Sequence, residues 1–116
     1  MNTKVVDDIA VIYSEAPLIT DAQSALDLMA TVYYEHNVTN MVICKEAVSE
    51  DFFKLSTGFA GDVVQKFVNY RFRVAIVGDF SNYASKPLHD YMLECNTGKH
   101  LYFVANEQEA LEKLGS

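Results

Sequence analysis

The middle of the chain reads MVICKEAV (residues 41–48), then SEDFFKLSTGFAGDVVQKFVNY (49–70), then RFRVAIVGD (71–79). The first and last pieces contain apolar runs rich in Val and Ile, which are typical of strands buried on both faces. The piece between them includes an amphipathic helical pattern, whose apolar stripe comprises Ala60, Val63, Val64, Phe67 and Val68. Two strands joined by a helix form a βαβ unit, which predicts a parallel pair with a right-handed crossover.

The segments on either side of this unit continue the alternation. Asp7-Asp8 separates two β-rich runs and predicts a hairpin or an interrupted edge strand. Thr20 with Gln23 fits a capping box for the first helix, whose expected stripe is Ala22, Ala25, Leu26, Met29, Val32 and Tyr33. The expected strands cover residues 3–6, 9–14, 41–48, 74–78 and 100–104. The order predicts one α/β domain over residues 1–116, with a mixed, mostly parallel sheet of four to five strands and about four helices.

Composition excludes several function classes. The chain has 116 residues, 16 of them acidic and 9 basic, for a net charge of −7. Such a chain makes a poor partner for nucleic acid or an anionic membrane, because phosphate neutralisation needs clustered Lys and Arg. The N-terminal stretch MNTKVVDDIAVIY lacks the unbroken apolar core of a signal peptide. Two isolated cysteines and no export signal indicate a cytoplasmic location.

The connecting segment, residues 49–58 (SEDFFKLSTG), is longer than a crossover requires. Ser49 fits the cap of a short turn, and Glu50 and Asp51 occupy its first positions, where carboxylates are favoured. Helix propensity then weakens, which predicts a break near residues 55–58 and a second helix from about Gly58 to Tyr70, capped by Ser56 or Thr57.

Over nearly its full length the chain resembles a family of small bacterial proteins, the domain-of-unknown-function family 4180. The stretches that carry this resemblance are ITDAQSALDLMATVYYEH, KEAVSEDFFKLSTGFAGDVVQKFVNYRFRVAIVGDFS and NEQEALEKL. The element order also resembles the STAS domain of bacterial anti-sigma-factor antagonists. In that domain a strand leads into an Asp-Ser-Ser/Thr-Gly loop that opens a helix. The matching positions here are Leu55, Ser56, Thr57 and Gly58, with Glu109-Ala110-Leu111 in the last helix.

The STAS resemblance implies a protein partner and a phosphorylation site. STAS antagonists bind a partner kinase or anti-sigma factor, and the hydroxyl just before the glycine is phosphorylated. By position that hydroxyl is Thr57, with Ser56 as its neighbour. Leu55 stands where the family has Asp, and an extra SEDFFK turn precedes the loop. Because of these departures, the resemblance to STAS domains supports the fold more strongly than it supports the phosphorylation site. A shared fold does not by itself establish a shared function.

Other candidate chemistry is weaker. Glu46, Glu50, Asp51 and Asp79 follow the two central strands, where α/β sheets place ligand sites and carboxylates can hold Mg²⁺. Helix starts and a turn explain these carboxylates more simply. The remaining candidate metal ligands, His36, His89, His100 and Cys95, lack the spacing of a metal site. The glycines Gly58, Gly61 and Gly78 match no phosphate-binding loop. We therefore expect no metal and no cofactor.

These observations favour a non-enzymatic, bacterial, cytoplasmic module that binds a protein partner and forms a homodimer through a helix face or sheet edge. The expected surface joins Glu50–Gly61 to the Asp79–Tyr83 loop. Its candidate residues are Glu50, Asp51, Phe52, Phe53, Ser56, Thr57, Gly58, Asp79 and Tyr83. The alternative is a small-molecule-binding protein or enzyme that uses Asp79 with the Ser56 and Thr57 hydroxyls. A concave apolar pocket favours the alternative, and an exposed apolar face favours the interaction module.

Overall fold

A computed structural model describes residues 1–115 of the chain. The five strands are β1 (Asn2–Val6), β2 (Ile9–Tyr13), β3 (Asn40–Cys44), β4 (Arg73–Val77) and β5 (Leu101–Val104). The helices are α1 (Ala22–His36), α2 (Phe59–Asn69), α3 (Lys86–Asn96) and α4 (Glu107–Gly115). Three short 3₁₀ helices lie between β3 and α2, at Lys45–Ala47, Glu50–Phe53 and Leu55–Thr57.

The strands form one sheet in the sequential order β1-β2-β3-β4-β5. β1 pairs antiparallel with β2, and each later pair is parallel, with Val42 opposite Val11 and Ala75. The mixed, mostly parallel sheet and the N-terminal hairpin are therefore confirmed. The turn of the hairpin is Asp7-Asp8, with φ of 50° and 64°. Two successive positive φ values characterise the type I′ turn, whose twist matches that of the strands.

Both faces of the sheet are covered. α1, α2 and α3 pack on one face, where the buried residues include Ile12, Met41, Ile76 and Phe103. α4 packs on the other face, with Ala110 and Leu114 against residues that include Val11, Val42 and Ala75. Double coverage explains why these strands are continuous apolar runs rather than alternating ones. Within residues 1–115 no helix combines the length and the apolar character that crossing a membrane requires.

The start of α1 differs from the predicted capping box. Asp21 caps the helix, and its side chain accepts the Ser24 N–H at 2.7 Å. The Ser24 hydroxyl in turn accepts the N–H groups of Asp21 at 3.0 Å and Thr20 at 2.8 Å. The prediction of Thr20 with Gln23 was wrong by one residue, because the extended Asp21 backbone directs its carboxylate at the helix start.

The buried face of α1 is also rotated from the predicted stripe. Its buried residues are Ala25, Leu28, Met29 and Val32, whereas Tyr33 is 51% exposed. On α2, Ala60, Val63 and Phe67 are buried as expected, but Val68 is 41% exposed. β3 ends at Cys44 rather than Val48, because a 3₁₀ turn follows it and Val48 makes an isolated bridge with Ile19.

Candidate interaction site at the carboxyl edge of the sheet

The connecting segment emerges at the carboxyl edge of the sheet, where β2 to β5 end. The Ser49 side chain accepts the Asp51 N–H and caps the turn from Glu50 to Phe53, as expected. The helical conformation is interrupted before α2, and Gly58 adopts a left-handed φ of 75° at this interruption. A non-glycine residue at that φ is strained. The predicted break near residues 55–58 is thus confirmed.

Phe52 and Phe53 anchor the segment in the core. Their exposures are only 1% and 4%, so their side chains cannot serve as contact residues of the folded surface, and the expectation that they do is corrected. Phe52 makes edge contacts with Phe53 and Phe59, at centroid distances of 5.2 and 6.0 Å. Phe53 also contacts Phe80, at 5.9 Å, in the loop after β4. The aromatic side chains hold the two loops against each other from below.

Tyr83 joins the two loops at their surface. Its ring stacks on Phe53 with centroids 5.1 Å apart and an interplanar angle of 21°. Its hydroxyl donates to the Glu50 carboxylate, 3.0 Å from each oxygen. Lys45 Nζ lies 4.9 Å from the ring centroid and 4.0 Å from Glu50 Oε1. Burial, followed by the Glu50 hydrogen bond, raises the pKa of Tyr83, so the hydroxyl remains a donor at physiological pH.

Asp79 forms a separate turn. Its carboxylate accepts the backbone N–H of Ser81 at 2.9 Å and the Ser81 hydroxyl at 2.6 Å. These two bonds, with a smaller contribution from Lys45, lower the pKa of Asp79. The carboxylate is therefore ionised at neutral pH. A general acid would need a raised pKa instead.

The two candidate hydroxyls, those of Ser56 and Thr57, differ in their hydrogen bonds. Thr57 Oγ1 donates to the Lys54 carbonyl at 2.8 Å and accepts the Phe59 N–H at 3.1 Å. It therefore serves the start of α2, although Gly58 rather than Thr57 occupies the cap position. Ser56 is exposed, and its hydroxyl makes no hydrogen bond to any residue within 1–115. Both residues are exposed, and of the pair Ser56 is the one whose hydroxyl is not engaged in hydrogen bonds of the loop.

The structure brings together only part of the predicted site. Glu50, Phe53 and Tyr83 are in direct contact, whereas Asp51 pairs with Lys54 at 3.7 Å and Asp79 with Ser81. The carboxylates that follow the strands are thus divided among different partners. In the described part of the chain, no three His, Cys, Asp or Glu side chains are grouped closely enough to hold a metal ion.

Lys45 is the residue that sequence reasoning missed. It follows the apolar β3 run, and its side chain crosses Gly78 at the end of β4. A Cβ built on Gly78 would lie 2.7 Å from the Lys45 Cβ. The absence of a side chain at Gly78 therefore creates the space that Lys45 occupies. A lysine directly after a buried strand was the available signal, but its contacts depend on the pairing of β3 with β4.

Separate depressions lie along this edge. A groove of about 860 Å³ is lined by residues that include Tyr13, Ser14, Cys44, Glu46 and Val77. A cavity of about 420 Å³ includes Asp79, Phe80 and Phe103. Neither Ser56 nor Thr57 lines the cavity that contains Asp79. The three residues proposed together for the alternative small-molecule site therefore do not share that cavity.

Comparison with known proteins gives a family and a fold. The family described as "Domain of unknown function (DUF4180)" matches residues 5–114. A search of curated proteins found no match. Among solved structures, the chain is similar to one from Thermotoga maritima, described as a candidate anti-sigma factor antagonist, at 15% identity and a TM-score of 0.52. The match covers 99% of this chain and 94% of that one. It confirms the predicted STAS-like α/β fold.

Proposed function

The chain belongs to the DUF4180 family, and we propose that it is a non-enzymatic regulatory module that binds another protein. The binding surface is the carboxyl-edge surface, which we define as the exposed residues of Glu50–Gly61 and Asp79–Tyr83. The description of the similar Thermotoga maritima structure as a candidate anti-sigma factor antagonist supports a protein partner.

One observation carries the proposal: Tyr83 fastens two exposed loops into a single surface. It contacts Phe53 and Glu50 of the connecting segment while belonging to the loop after β4. A surface that is rigid before binding loses less conformational entropy when a partner docks. The exposed groups of this surface include Glu50, Asp51 and Ser56, which present two carboxylates and a hydroxyl.

The protonation states also favour binding over acid–base chemistry. Asp79 is held ionised by Ser81, and Tyr83 is held protonated by burial and Glu50. A catalytic acid or base works best with a pKa near the operating pH, and both shifts move away from it. Fixed charges of this kind are suited to electrostatic complementarity with a partner.

We further propose that phosphorylation in the connecting segment switches the interaction. The exposure of Ser56 supports modification there, whereas a phosphate on Thr57 would displace the donation of that hydroxyl to the Lys54 carbonyl. A dianionic group in the same segment as Glu50 and Asp51 would add to their negative charge and alter the charge that the partner meets. Phosphoprotein mass spectrometry of the native host under several growth conditions is expected to find Ser56 modified. Absence of the modification from both hydroxyls would refute the switch.

Affinity purification from the native host tests the binding function. The wild-type chain is expected to recover a partner protein, and Asp51→Arg and Tyr83→Ala are expected to reduce that recovery at least fivefold. Glu112→Arg is the matched control, because it introduces the same charge change on α4, which packs on the other face of the sheet. Recovery of a tightly bound metabolite without a protein would overturn the proposal in favour of the small-molecule alternative.

A further inference from the structure

A second cavity lies at the amino edge of the sheet, where the parallel strands begin. It has a volume of about 560 Å³ and is lined by Val68, Arg71, Arg73, Lys99 and His100. These residues precede or open β4 and β5 or end α2, so they lie at the opposite end of the strands from the carboxyl-edge surface. No acidic residue is among the five.

The side chains that line this cavity are positively charged, whereas the whole chain carries a net negative charge. It gathers 3 of the 9 Lys and Arg residues of a chain whose net charge is −7. Arg71 and Lys99 make no ion pair with any residue in 1–115. Cations that lack carboxylate partners in an otherwise acidic protein favour an external anion as the partner.

Arg73 forms the floor of the site. Its guanidinium donates to the carbonyls of Lys99, Lys113 and Leu114 at 3.1 to 3.2 Å, and to the Tyr102 hydroxyl at 3.2 Å. All four acceptors are uncharged, so the hydrogen bonds position the guanidinium without cancelling its charge. The arginine is consequently a fixed, half-buried positive charge beside two exposed ones, Arg71 and Lys99.

Arg71 occupies a position that favours glycine. Its φ is 57°, and the chain closes there as a Schellman motif, with the Arg71 N–H donating to the Val68 carbonyl and the Phe72 N–H to the Phe67 carbonyl. Within residues 1–115 the other non-glycine residues with positive φ are two Asp and one Asn, which tolerate this conformation better. The end of α2 does not require an arginine side chain, and glycine would serve it with less strain.

His100 supplies a further group of defined tautomer. Its Nδ1 lies 3.0 Å from the Phe72 carbonyl oxygen, which can only accept, so Nδ1 carries a proton. The other ring nitrogen, Nε2, is then the acceptor of the ring.

We propose that this cavity binds a small anion that bears a phosphate group. Arginine and lysine together suit phosphate: the Arg71 guanidinium can offer paired donors, Lys99 adds a compact charge, and Arg73, whose donors are already used, contributes its fixed positive charge. A nucleic acid or an anionic membrane would meet the repulsion of the whole acidic chain, whereas a small anion meets mainly the local field. The site does not depend on the function proposed for the carboxyl-edge surface.

Helix dipoles give the competing explanation. Cations are favoured near the C-terminal ends of helices, and α2 and α4 end beside this cavity. That effect accounts for the bonds of Arg73 to the last carbonyls of α4. The helix-dipole explanation predicts that Arg71 contributes to the stability of the folded protein and not to anion binding. Anion binding and folding stability must therefore be measured separately.

Isothermal titration calorimetry at low ionic strength tests the site, with inorganic phosphate and adenosine monophosphate as probes. We expect wild-type binding of at least one probe with a Kd below about 1 mM. Tighter binding of adenosine monophosphate would indicate an ester ligand, and equal binding the free ion. Arg71→Gly and Lys99→Gln are each expected to weaken binding at least fivefold, while thermal unfolding shows that Arg71→Gly does not lower Tm.

Lys86→Gln is the matched control. It removes one positive charge from the first turn of α3, outside the residues that line the cavity. Its affinity for both probes should equal that of the wild type. The proposal is overturned if neither probe binds, if Lys86→Gln weakens binding as much as Lys99→Gln, or if Arg71→Gly lowers Tm without changing the affinity.

Discussion

Gly78 shows how one missing side chain organises the carboxyl-edge surface. Lys45 lies across it and reaches both Glu50 and the Tyr83 ring. We predict that Gly78→Ala lowers the free energy of unfolding by about 1–3 kcal/mol, since the new Cβ would lie 2.7 Å from the Lys45 Cβ. That atom is fixed to the backbone and cannot swing aside. Urea denaturation measures the change.

Gly61→Ala is the matched control for this substitution. Gly61 lies in α2, and a Cβ there meets no atom within 4 Å. The change should raise the free energy of unfolding by about 0.5–1 kcal/mol, because alanine loses less conformational freedom in a helix. Equal effects of the two substitutions would contradict the packing described for Lys45.

Tyr13 makes the stability of the folded protein depend on pH in the alkaline range. Its hydroxyl donates to Glu107, and this hydrogen bond, followed by burial, raises the pKa of Tyr13 from 10.0 to about 12. The folded state thus favours the protonated tyrosine, and the resulting stabilisation is complete below pH 10 and is lost as the pH rises to about 12. Tyr83 and Tyr91 add to this loss, since their pKa values are also raised.

Urea denaturation at several pH values across that window checks the effect. Tyr13→Phe should lose less stability than the wild type between pH 10 and pH 12. Tyr34→Phe is the control, because that ring is 86% exposed, and its pH dependence should match the wild type. A Tyr13→Phe curve parallel to the wild-type curve would show that the Glu107 contact does not form in solution.

At the scale of elements, the β1–β2 hairpin offers a direct test of its turn. Asp8 has φ of 64°, a conformation that glycine adopts without strain, and Asp-Gly is a favoured type I′ pair. We predict that Asp8→Gly raises the free energy of unfolding by about 0.5–1 kcal/mol in urea denaturation. Asp62→Gly within α2 should instead lower it by about 1 kcal/mol, so a loss of stability in both variants would reject the turn assignment.

The elements also show what a sequence can and cannot predict. The break before α2 was predictable, because hydroxyls and glycine weaken a helix locally. The cap of α1 was not, since Thr20 and Asp21 are adjacent and both are good caps; the local backbone decides between them. The buried face of α1 was ambiguous for a similar reason: Leu26 and Leu28 are both apolar, and packing on the sheet selects Leu28.

The contacts of Tyr83 could not be predicted from the sequence. Glu50 and Tyr83 are 33 residues apart in the chain. They meet because β3 and β4 pair in parallel and deliver both loops to the same edge. The parallel pairing was predictable from two apolar runs and a helix, and so was the shared edge. The rotation of each side chain depends on the loop conformations, which no periodic pattern encodes.

At the scale of the whole molecule, the sheet separates two surfaces. The carboxyl edge carries the connecting segment with its exposed hydroxyl and carboxylates, and the amino edge carries the basic cavity. The strands between them are covered by helices on both faces. Arg73, the first residue of β4, lies at the amino-edge cavity and far along the strand from the carboxyl edge. The two edges can therefore be altered independently by substitution, which makes each proposal testable without disturbing the other.

The most direct test of the carboxyl-edge surface is site-specific photo-crosslinking in the native host. A photoreactive amino acid is placed at Ser56 in one variant and at Glu112 on α4 in another, both at exposed positions. We predict that the Ser56 variant forms a covalent adduct with one partner protein and that the Glu112 variant does not. An adduct only at Glu112, or the same adducts at both positions, would contradict the proposal that this protein acts through the carboxyl edge of its sheet.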